Sequence, residues 1–112
     1  METTTIQGLV ATTPRHIITQ DGLPITTFRL ASSSDGDNTN WYTITAFKAL
    51  ALNSATSINK GDRVVVTGKL LVRDWDNGQT TGTSVEVEAN SIGHDLSWGT
   101  SVFTRTILVQ QN

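Results

Sequence analysis

Residues 61–75, GDRVVVTGKLLVRDW, form the segment around which the rest of the fold is arranged. Their β-branched content and the turn residues on both sides, Lys60-Gly61 and then Asp76-Asn77-Gly78, are typical of one long strand. Alternate side chains of a strand face opposite sides of its sheet. The even positions are Val64, Val66, Gly68, Leu70 and Val72, and they predict a face directed towards the core. The glycine among them predicts a point where the strand bends or another backbone approaches.

The opposite face of this strand is cationic. Its odd positions include Arg63, Lys69 and Arg73, end at the aromatic Trp75, and contain no acidic residue. The acidic side chains near it in sequence are expected at strand ends, in a turn or on a different strand: Asp62, Asp74, Asp76, Glu86 and Glu88. The pattern therefore predicts a basic surface with a tryptophan at one end, although the net charge of the whole chain is −2.

A second strand, residues 41–47 (WYTITAF), also carries aromatic side chains on one face. Its odd positions place Trp41 and Phe47 on either side of Thr43 and Thr45. Two large aromatics flanking two threonines make a poor core stripe, but they make a good platform for stacking planar groups. The alternative is that Trp41 and Phe47 pack under a loop or against another subunit.

The bulk composition indicates one folded domain over residues 1–112. Hydrophobic residues make up 37% of the chain, and there is no cysteine, which excludes disulfides and thiolate metal sites. No apolar run is long enough to span a membrane, and the amino terminus lacks the features of a signal peptide. We therefore expect a cytoplasmic protein without a membrane partner.

The remaining segments predict further strands and one helix. Phe28 and Leu30 alternate with Arg29, which places the arginine on the face opposite the core. Strands are expected at residues 4–11, 16–19, 25–31, 84–89 and 102–109, with a polar loop at 32–40 and a short helix at 48–58. An all-β fold with one short helix fits a five-stranded barrel of the OB type plus an extra C-terminal strand. Such barrels commonly bind oligonucleotides or oligosaccharides on their outer strand face.

Signals for catalysis or metal binding are weak. His16 and His94 are far apart in sequence, so a metal site is not expected. His94-Asp95 is similar to the two-residue core of a phosphohydrolase motif, but further histidines are missing, and we interpret it as a capped turn. Trp98 precedes an apolar segment, which favours packing over base stacking. No catalytic motif or cofactor-binding motif is present, so an enzyme is not expected.

Several residues together resemble the bacterial single-stranded DNA-binding protein family over nearly the whole chain. The matching features are Gly8, Pro14, residues 28–31, Thr39-x-Trp41, Phe47, Lys60-Gly61, Gly68-x-Leu70-x-x-Arg73-x-Trp75 and residues 85–89. Residues 91–100, SIGHDLSWGT, resemble the actinobacterial branch, in which an additional C-terminal strand clasps neighbouring subunits.

The resemblance implies a function and a set of contact residues. Family members bind and protect single-stranded DNA in replication, recombination and repair, usually as homotetramers, and need no cofactor. The resemblance places base stacking on Trp41, Phe47 and Trp75. Phosphate contacts are expected from the basic side chains Arg29, Lys48, Lys60, Lys69 and Arg73. A nucleoid-associated homo-oligomer, a tetramer built from dimers, is the corresponding expectation.

This sequence departs from the family pattern at three places. The 32–40 loop is short and has no aromatic residue where many members carry a tryptophan, and Asp74 stands where a basic residue is often found. The chain ends at Gln111-Asn112 without the acidic tip that recruits replication and repair enzymes, so those partners are not expected for this form. A tail-less adaptor acting through protein contacts, as in primosomal relatives, is the alternative function, and an oligosaccharide-binding barrel is the third.

Overall fold

A computed structural model describes residues 3–33 and 38–107 of the chain. Within these ranges the chain forms six strands and one helix. Their order is β1 (Thr3–Val10), β2 (Arg15–Ile18), β3 (Pro24–Ser33), β4 (Thr39–Phe47), α1 (Lys48–Ser57), β5 (Arg63–Asp76) and β6 (Thr81–His94). The predicted all-β fold with one short helix is confirmed.

The strands close into a barrel. Their order in the sheet is β1-β5-β6-β4-β3-β2, and a second pairing of β1 with β3 closes the ring. All neighbours are antiparallel except β4 and β6, which run parallel. Five strands therefore form the closed barrel and β2 lies at its edge, which is an OB-type architecture.

The core lies inside the ring and is built from alternate positions of every barrel strand. Phe28, Leu30, Ile44, Val64, Val66 and Val87 are all at most 2% exposed. Because side chains alternate between faces along a strand, the residues between them point outward. The inward orientation predicted for Phe28 and Leu30, and for the start of the long strand, is confirmed.

Gly68 lies where β5 bends across β6. A Cβ at this position would lie 2.8 Å from the Ala89 Cα, closer than real Cβ atoms approach backbone. The β5–β6 register also shifts between Thr67 and Gly68. Both features confirm the predicted bend and close approach, and they explain why the strand carries no side chain here.

The predicted core face of β5 is wrong at its far end, because Val72 is 61% exposed. Val72 pairs with Val85 across the hairpin. The β5–β6 hairpin extends beyond the barrel at this point, so no further layer of the described chain covers the valine. Among the even-numbered residues of β5, Val64 and Val66 lie in the core and the half-buried Leu70 packs against it.

Helix α1 forms between β4 and β5 in the chain, as predicted, and packs against β3 and β4. Ala51 and Ser54 are its buried residues. Buried Thr26 donates its hydroxyl to the Ala51 carbonyl at 2.7 Å and accepts a hydrogen bond from His16 Nδ1 at 2.8 Å. This chain of hydrogen bonds satisfies a buried hydroxyl and fixes the helix against β3.

Two predicted segments differ from the structure. Residues 32–33 and 39–40, assigned to the loop, continue β3 and β4, and Ser33 pairs with Thr39; residues 34–37 lie outside the described residues. The extra C-terminal strand is not formed over residues 101–107, because no strand edge of the same chain is paired with it. Residues 108–109 of that prediction lie outside the described residues.

The one described helix is too short and too polar to cross a membrane.

Candidate nucleic-acid interface

Strands β3, β4, β6 and β5 lie side by side and present one continuous outward surface, which we call the outer face. The register places Arg29 beside Thr43, Thr43 beside Glu86, and Glu86 beside Leu71. The outer face carries most of the predicted contact residues together with two acidic ones: Arg29, Trp41, Phe47, Lys69, Arg73, Trp75, Glu86 and Glu88. Tertiary structure thus brings the two aromatic strands onto one surface.

The three predicted stacking residues are accessible on the outer face. Trp41 is 50% exposed and Trp75 is 45% exposed, and Phe47 is half-buried. The Arg29 guanidinium lies 5.5 Å from the centroid of the Trp41 ring, within the range of a cation–π contact. In the described chain, therefore, neither tryptophan is packed beneath a loop, and Arg29 lies on the outward face as expected, beside Trp41.

Glu86 and Glu88 correct the prediction of an acid-free face. They lie on a different strand from the cations, as expected, but that strand runs between β4 and β5. Glu86 Oε1 is 3.3 Å from Arg73 Nε, and Glu88 is the cross-strand neighbour of Lys69. The outer face is therefore mixed in charge, and its attraction for a polyanion is weaker than the sequence of β5 alone predicts.

A groove of about 220 Å³ crosses the outer face between β4 and β5. Phe47 lines one side, and Leu71 and Arg73 line the other, while Glu86 and Glu88 of β6 lie between them. An aromatic ring, an apolar side chain and a guanidinium around one shallow depression suit a flat, partly apolar ring with an anionic group attached.

The remaining two predicted cations are placed differently. Lys48 follows Phe47 directly, is exposed, and has a φ of 61°, an unusual value for a residue other than glycine. It therefore lies beside the aromatic end of β4. Lys60 is exposed in the turn before β5, at the end of that strand opposite Trp75. The fold does not bring Lys60 next to the groove.

A second cluster lies at that opposite end of β5. The Arg63 guanidinium is 4.3 Å from the centroid of the Trp98 ring, and Trp98 is 66% exposed. The prediction that Trp98 is packed is wrong within the described part of the chain, because most of its surface is exposed and its ring contacts the Arg63 guanidinium. A cavity of about 570 Å³ adjoins the pair and is also lined by Asp62 and His94.

His94 and Asp62 tie the end of β6 to the start of β5. His94 Nε2 lies 3.0 Å from Asp62 Oδ2, which also accepts a hydrogen bond from the Asn59 amide at 3.0 Å. Burial opposes ionisation of Asp62 and is the largest influence on its pKa. The hydrogen bonds from Asn59 and His94 outweigh it, so the pKa lies below its ordinary value.

The His94-Asp95 dipeptide begins a turn that is held by hydrogen bonds to Asp95. The Asp95 side chain accepts a hydrogen bond from the Ser97 amide at 3.0 Å, and its carbonyl accepts one from the Trp98 amide at 3.1 Å. The predicted capped turn at His94-Asp95 is confirmed. Over residues 3–33 and 38–107, no group of three or more potential ligands converges in a way that suits a metal ion.

Sequence reasoning missed the acidic centre of the outer face and the Arg63–Trp98 pair. Alternation showed that Glu86 and Glu88 face outward, but it gave no information on which strands flank them. That neighbourhood depends on the parallel β4–β6 pairing, which closes the barrel between strands far apart in sequence. Because α1 and β5 lie between β4 and β6 in the chain, no short stretch of sequence indicates that these two strands pair.

The fold agrees with comparisons to known proteins. The sequence profile described as "Single-strand binding protein family" matches residues 1–95. Single-stranded DNA-binding protein 2 of Tropheryma whipplei (strain Twist) is 49% identical over 112 residues, covering 90% of this chain and 73% of the relative. Single-stranded DNA-binding protein 1 of Streptomyces coelicolor is 42% identical, covering 88% of this chain and 69% of the relative.

Two solved structures are similar in both fold and sequence. The crystal structure of the small single-stranded DNA-binding protein from Streptomyces coelicolor has a TM-score of 0.81 and 36% identity, covering 88% of this chain and 97% of that one. The second single-stranded DNA-binding protein of Mycobacterium smegmatis has a TM-score of 0.75 and 32% identity, covering 92% and 97%. With the profile match and the actinobacterial relatives, these likenesses show that the chain belongs to the single-strand binding protein family.

Proposed function

We propose that the chain binds single-stranded DNA on its outer face, without requiring a defined sequence, and protects it during replication, recombination and repair. The observation that carries the proposal is the set of accessible aromatic rings, Trp41, Phe47 and Trp75, beside Arg29 and Arg73 on one surface. Each base stacked on such a ring contributes about 1–3 kcal/mol, and every base has a face to stack. Cations beside the rings then follow the phosphates.

In this proposal the chain is a binding protein and not an enzyme. It acts in the cytoplasm, on DNA of the nucleoid, and it works as a homo-oligomer. Exposed apolar side chains support the assembly: Val102 is 95% exposed, Phe103 82% and Ile107 96% in the single chain. Three large apolar residues this open to water within one short segment favour burial against another copy. A tetramer built from dimers is the assembly we propose.

The two outer-face tryptophans provide the test. Titration with oligo(dT) is expected to quench the fluorescence of Trp41 and Trp75, whereas a duplex of equal length has its bases stacked internally and is expected to leave it unchanged. The variant Trp98→Phe removes the signal of the tryptophan beside Arg63, at the end of β5 opposite Trp75, and isolates the outer face.

Salt dependence separates this proposal from the two other functions. Phosphate contacts make the affinity fall steeply as salt rises, with a slope of about −0.7 per phosphate neutralised on a single strand. Absence of quenching by any single strand would contradict the proposal and favour the protein adaptor. Quenching by a neutral oligosaccharide, with no dependence on salt, would favour the sugar-binding barrel.

A further inference from the structure

We propose that Arg29 is a positioning residue, which holds the indole ring of Trp41 in the orientation that stacks a base. The inference rests on the proposed function, because Trp41 is one of its three stacking rings. It attributes the effect of Arg29 on affinity mainly to this ring rather than to a phosphate. Its basis is the cation–π contact between the two side chains.

Trp41 receives little support from its neighbours in the sheet. Its cross-strand partner on β3 is Ala31, whose methyl group is too small to support an indole ring. On the other side of β4, the pairing with β6 runs from Thr43 to Thr45 and does not reach Trp41. In the part of the chain that the structure describes, therefore, no large side chain occupies the directly paired position on either side of the ring.

Arg29 supplies a contact with the ring across a diagonal of the sheet. It pairs with Thr43, two residues along β4 from Trp41, and its side chain lies on the same outward face. Diagonal neighbours in an antiparallel pair are about 7–8 Å apart, a distance that a long side chain spans. The Arg29 guanidinium lies over the indole, 5.5 Å from its centroid.

Two features of Arg29 suit it to hold the ring. Its backbone is fixed, because its amide donates to Thr12 Oγ1 at 3.0 Å and its carbonyl accepts a hydrogen bond from the Ala11 amide at 2.8 Å. Its guanidinium forms no ion pair with any acidic side chain of the described ranges. Within those ranges, therefore, no carboxylate draws the guanidinium away from Trp41.

A ring held in this way is ready to stack a base. Trp41 is 50% exposed, so a guanidinium on one face leaves the other face accessible. A side chain that is already ordered loses less conformational entropy on binding, which raises affinity without a new contact to the ligand. Arginine suits this role better than lysine because its planar guanidinium stacks on aromatic faces.

A double-mutant cycle measures whether Arg29 acts through Trp41, with affinities taken from the anisotropy of a dye-labelled oligo(dT). We expect Arg29→Gln to weaken binding about 2- to 5-fold, which corresponds to the loss of an exposed cation–π contact. In a Trp41→Leu background, which lacks the ring, the same substitution is expected to change the affinity little. The side chain of Arg29 is exposed, so the melting temperature is expected to stay constant.

The matched control is Arg73→Gln, which removes the same charge from the outer face. Arg73 is paired with Glu86 on β6 and not with Trp41. The effect of Arg73→Gln is therefore expected to add to that of Trp41→Leu, as substitutions at independent sites do.

Two further measurements distinguish positioning from phosphate contact. In a variant with Trp41 as its single tryptophan, made by Trp75→Phe and Trp98→Phe, Arg29→Gln is expected to increase quenching by acrylamide in the free protein. The salt dependence of binding is expected to stay close to that of wild type in Arg29→Gln, whereas loss of one phosphate contact lowers the slope by about 0.7. Arg29→Lys keeps the charge without the planar group, and is expected to recover only part of the affinity.

A loss in Arg29→Gln that is equally large in the Trp41→Leu background, or that flattens the slope by a whole phosphate, would overturn the inference and leave Arg29 as a phosphate contact. Unchanged affinity in Arg29→Gln, or unchanged quenching of Trp41, would also overturn it. Each of these results leaves single-strand binding intact. Failure of the wild type to bind oligo(dT) would instead refute the proposed function, and this inference with it.

Discussion

The indole ring of Trp75 lies directly over Gly82, its cross-strand partner in the β5–β6 hairpin. A Cβ built on Gly82 would lie 2.6 Å from Trp75 Cε2, closer than real Cβ atoms approach other atoms. The bare backbone of the glycine is therefore what allows the ring to lie flat across the hairpin. An aromatic covering a cross-strand glycine also shields that backbone from water.

This relationship predicts the effect of Gly82→Ala. The added methyl group displaces the Trp75 ring, which lies at the end of an exposed hairpin and has space to move. We expect single-strand affinity to fall by about 1 kcal/mol, the lower end of the range for one lost stacking contact, and the melting temperature to stay nearly constant. Gly78→Ala is not a suitable control because Gly78 has a φ of 89°; Thr81→Ala, next to Gly82 but with its side chain on the other face, is. Unchanged affinity in Gly82→Ala would show that the ring orientation does not matter for binding.

Trp75→Ala separates a binding role from a packing role. Because Trp75 is 45% exposed, we expect a loss of about 1–3 kcal/mol in single-strand affinity with little change in the free energy of unfolding. Phe28→Ala is the contrasting variant: Phe28 is 2% exposed, and deleting a buried aromatic costs about 3–5 kcal/mol of stability. Urea unfolding and fluorescence titration measure the two effects, and a large stability loss in Trp75→Ala would contradict the assignment of the ring to the outer face.

Arg73 and Glu86 predict a change in salt dependence. Their ion pair involves an arginine side chain that is 68% exposed, so it contributes about 0.2–1 kcal/mol, little enough for a phosphate to displace it. Glu86→Gln frees the guanidinium, and we expect tighter binding and a steeper dependence on salt. Arg73→Ala is expected to flatten the slope by up to about 0.7, the contribution of one phosphate on a single strand. Equal slopes in wild type and both variants would exclude Arg73 from the phosphate contacts.

Asp62 predicts how stability changes in acid. Its pKa in the folded protein lies below the ordinary value of 3.8, despite burial, because Asn59 and His94 hydrogen-bond to its carboxylate. Such a group stabilises the fold above its unfolded pKa, and the contribution is lost as the pH falls through the folded pKa. We expect Asp62→Asn to lower the free energy of unfolding by about 1 kcal/mol at pH about 6, for hydrogen bonds that are partly exposed. The difference from wild type should shrink below pH about 4, and a difference that persists unchanged in stronger acid would show that ionised Asp62 is not its source.

The C-terminal segment predicts the behaviour of the assembly. Truncation after Gly99 removes Val102, Phe103 and Ile107, which are exposed in the single chain, and is expected to weaken the homo-oligomer in sedimentation or light scattering. Replacing these three residues by serine in the full chain makes the same test without shortening it. An intact chain that remains monomeric at micromolar concentration would contradict the proposed assembly.

Local pattern was sufficient for much of the architecture. Alternation along β3, β4 and β5 identified Phe28, Leu30 and Val64 as core, and a central glycine in β5 indicated the bend at Gly68. These predictions succeeded because a strand with one buried face must alternate apolar and outward side chains, whatever its neighbours are. The face of each strand that carries Trp41 or Trp75 followed from the same rule, and their accessibility agrees with it.

The neighbours of each outward side chain depend on the tertiary structure. The parallel pairing of β4 with β6 placed Glu86 and Glu88 between the aromatic strand and the cationic one, and so changed a basic surface into one of mixed charge. Val72 was assigned to the core because its strand pattern continued, yet the barrel ends before it. Alternation determines the side of a strand on which a residue lies. The neighbours of that residue are set by pairings between segments that are distant in sequence. Those pairings are stabilised by the closed barrel as a whole, so a local pattern does not reveal them.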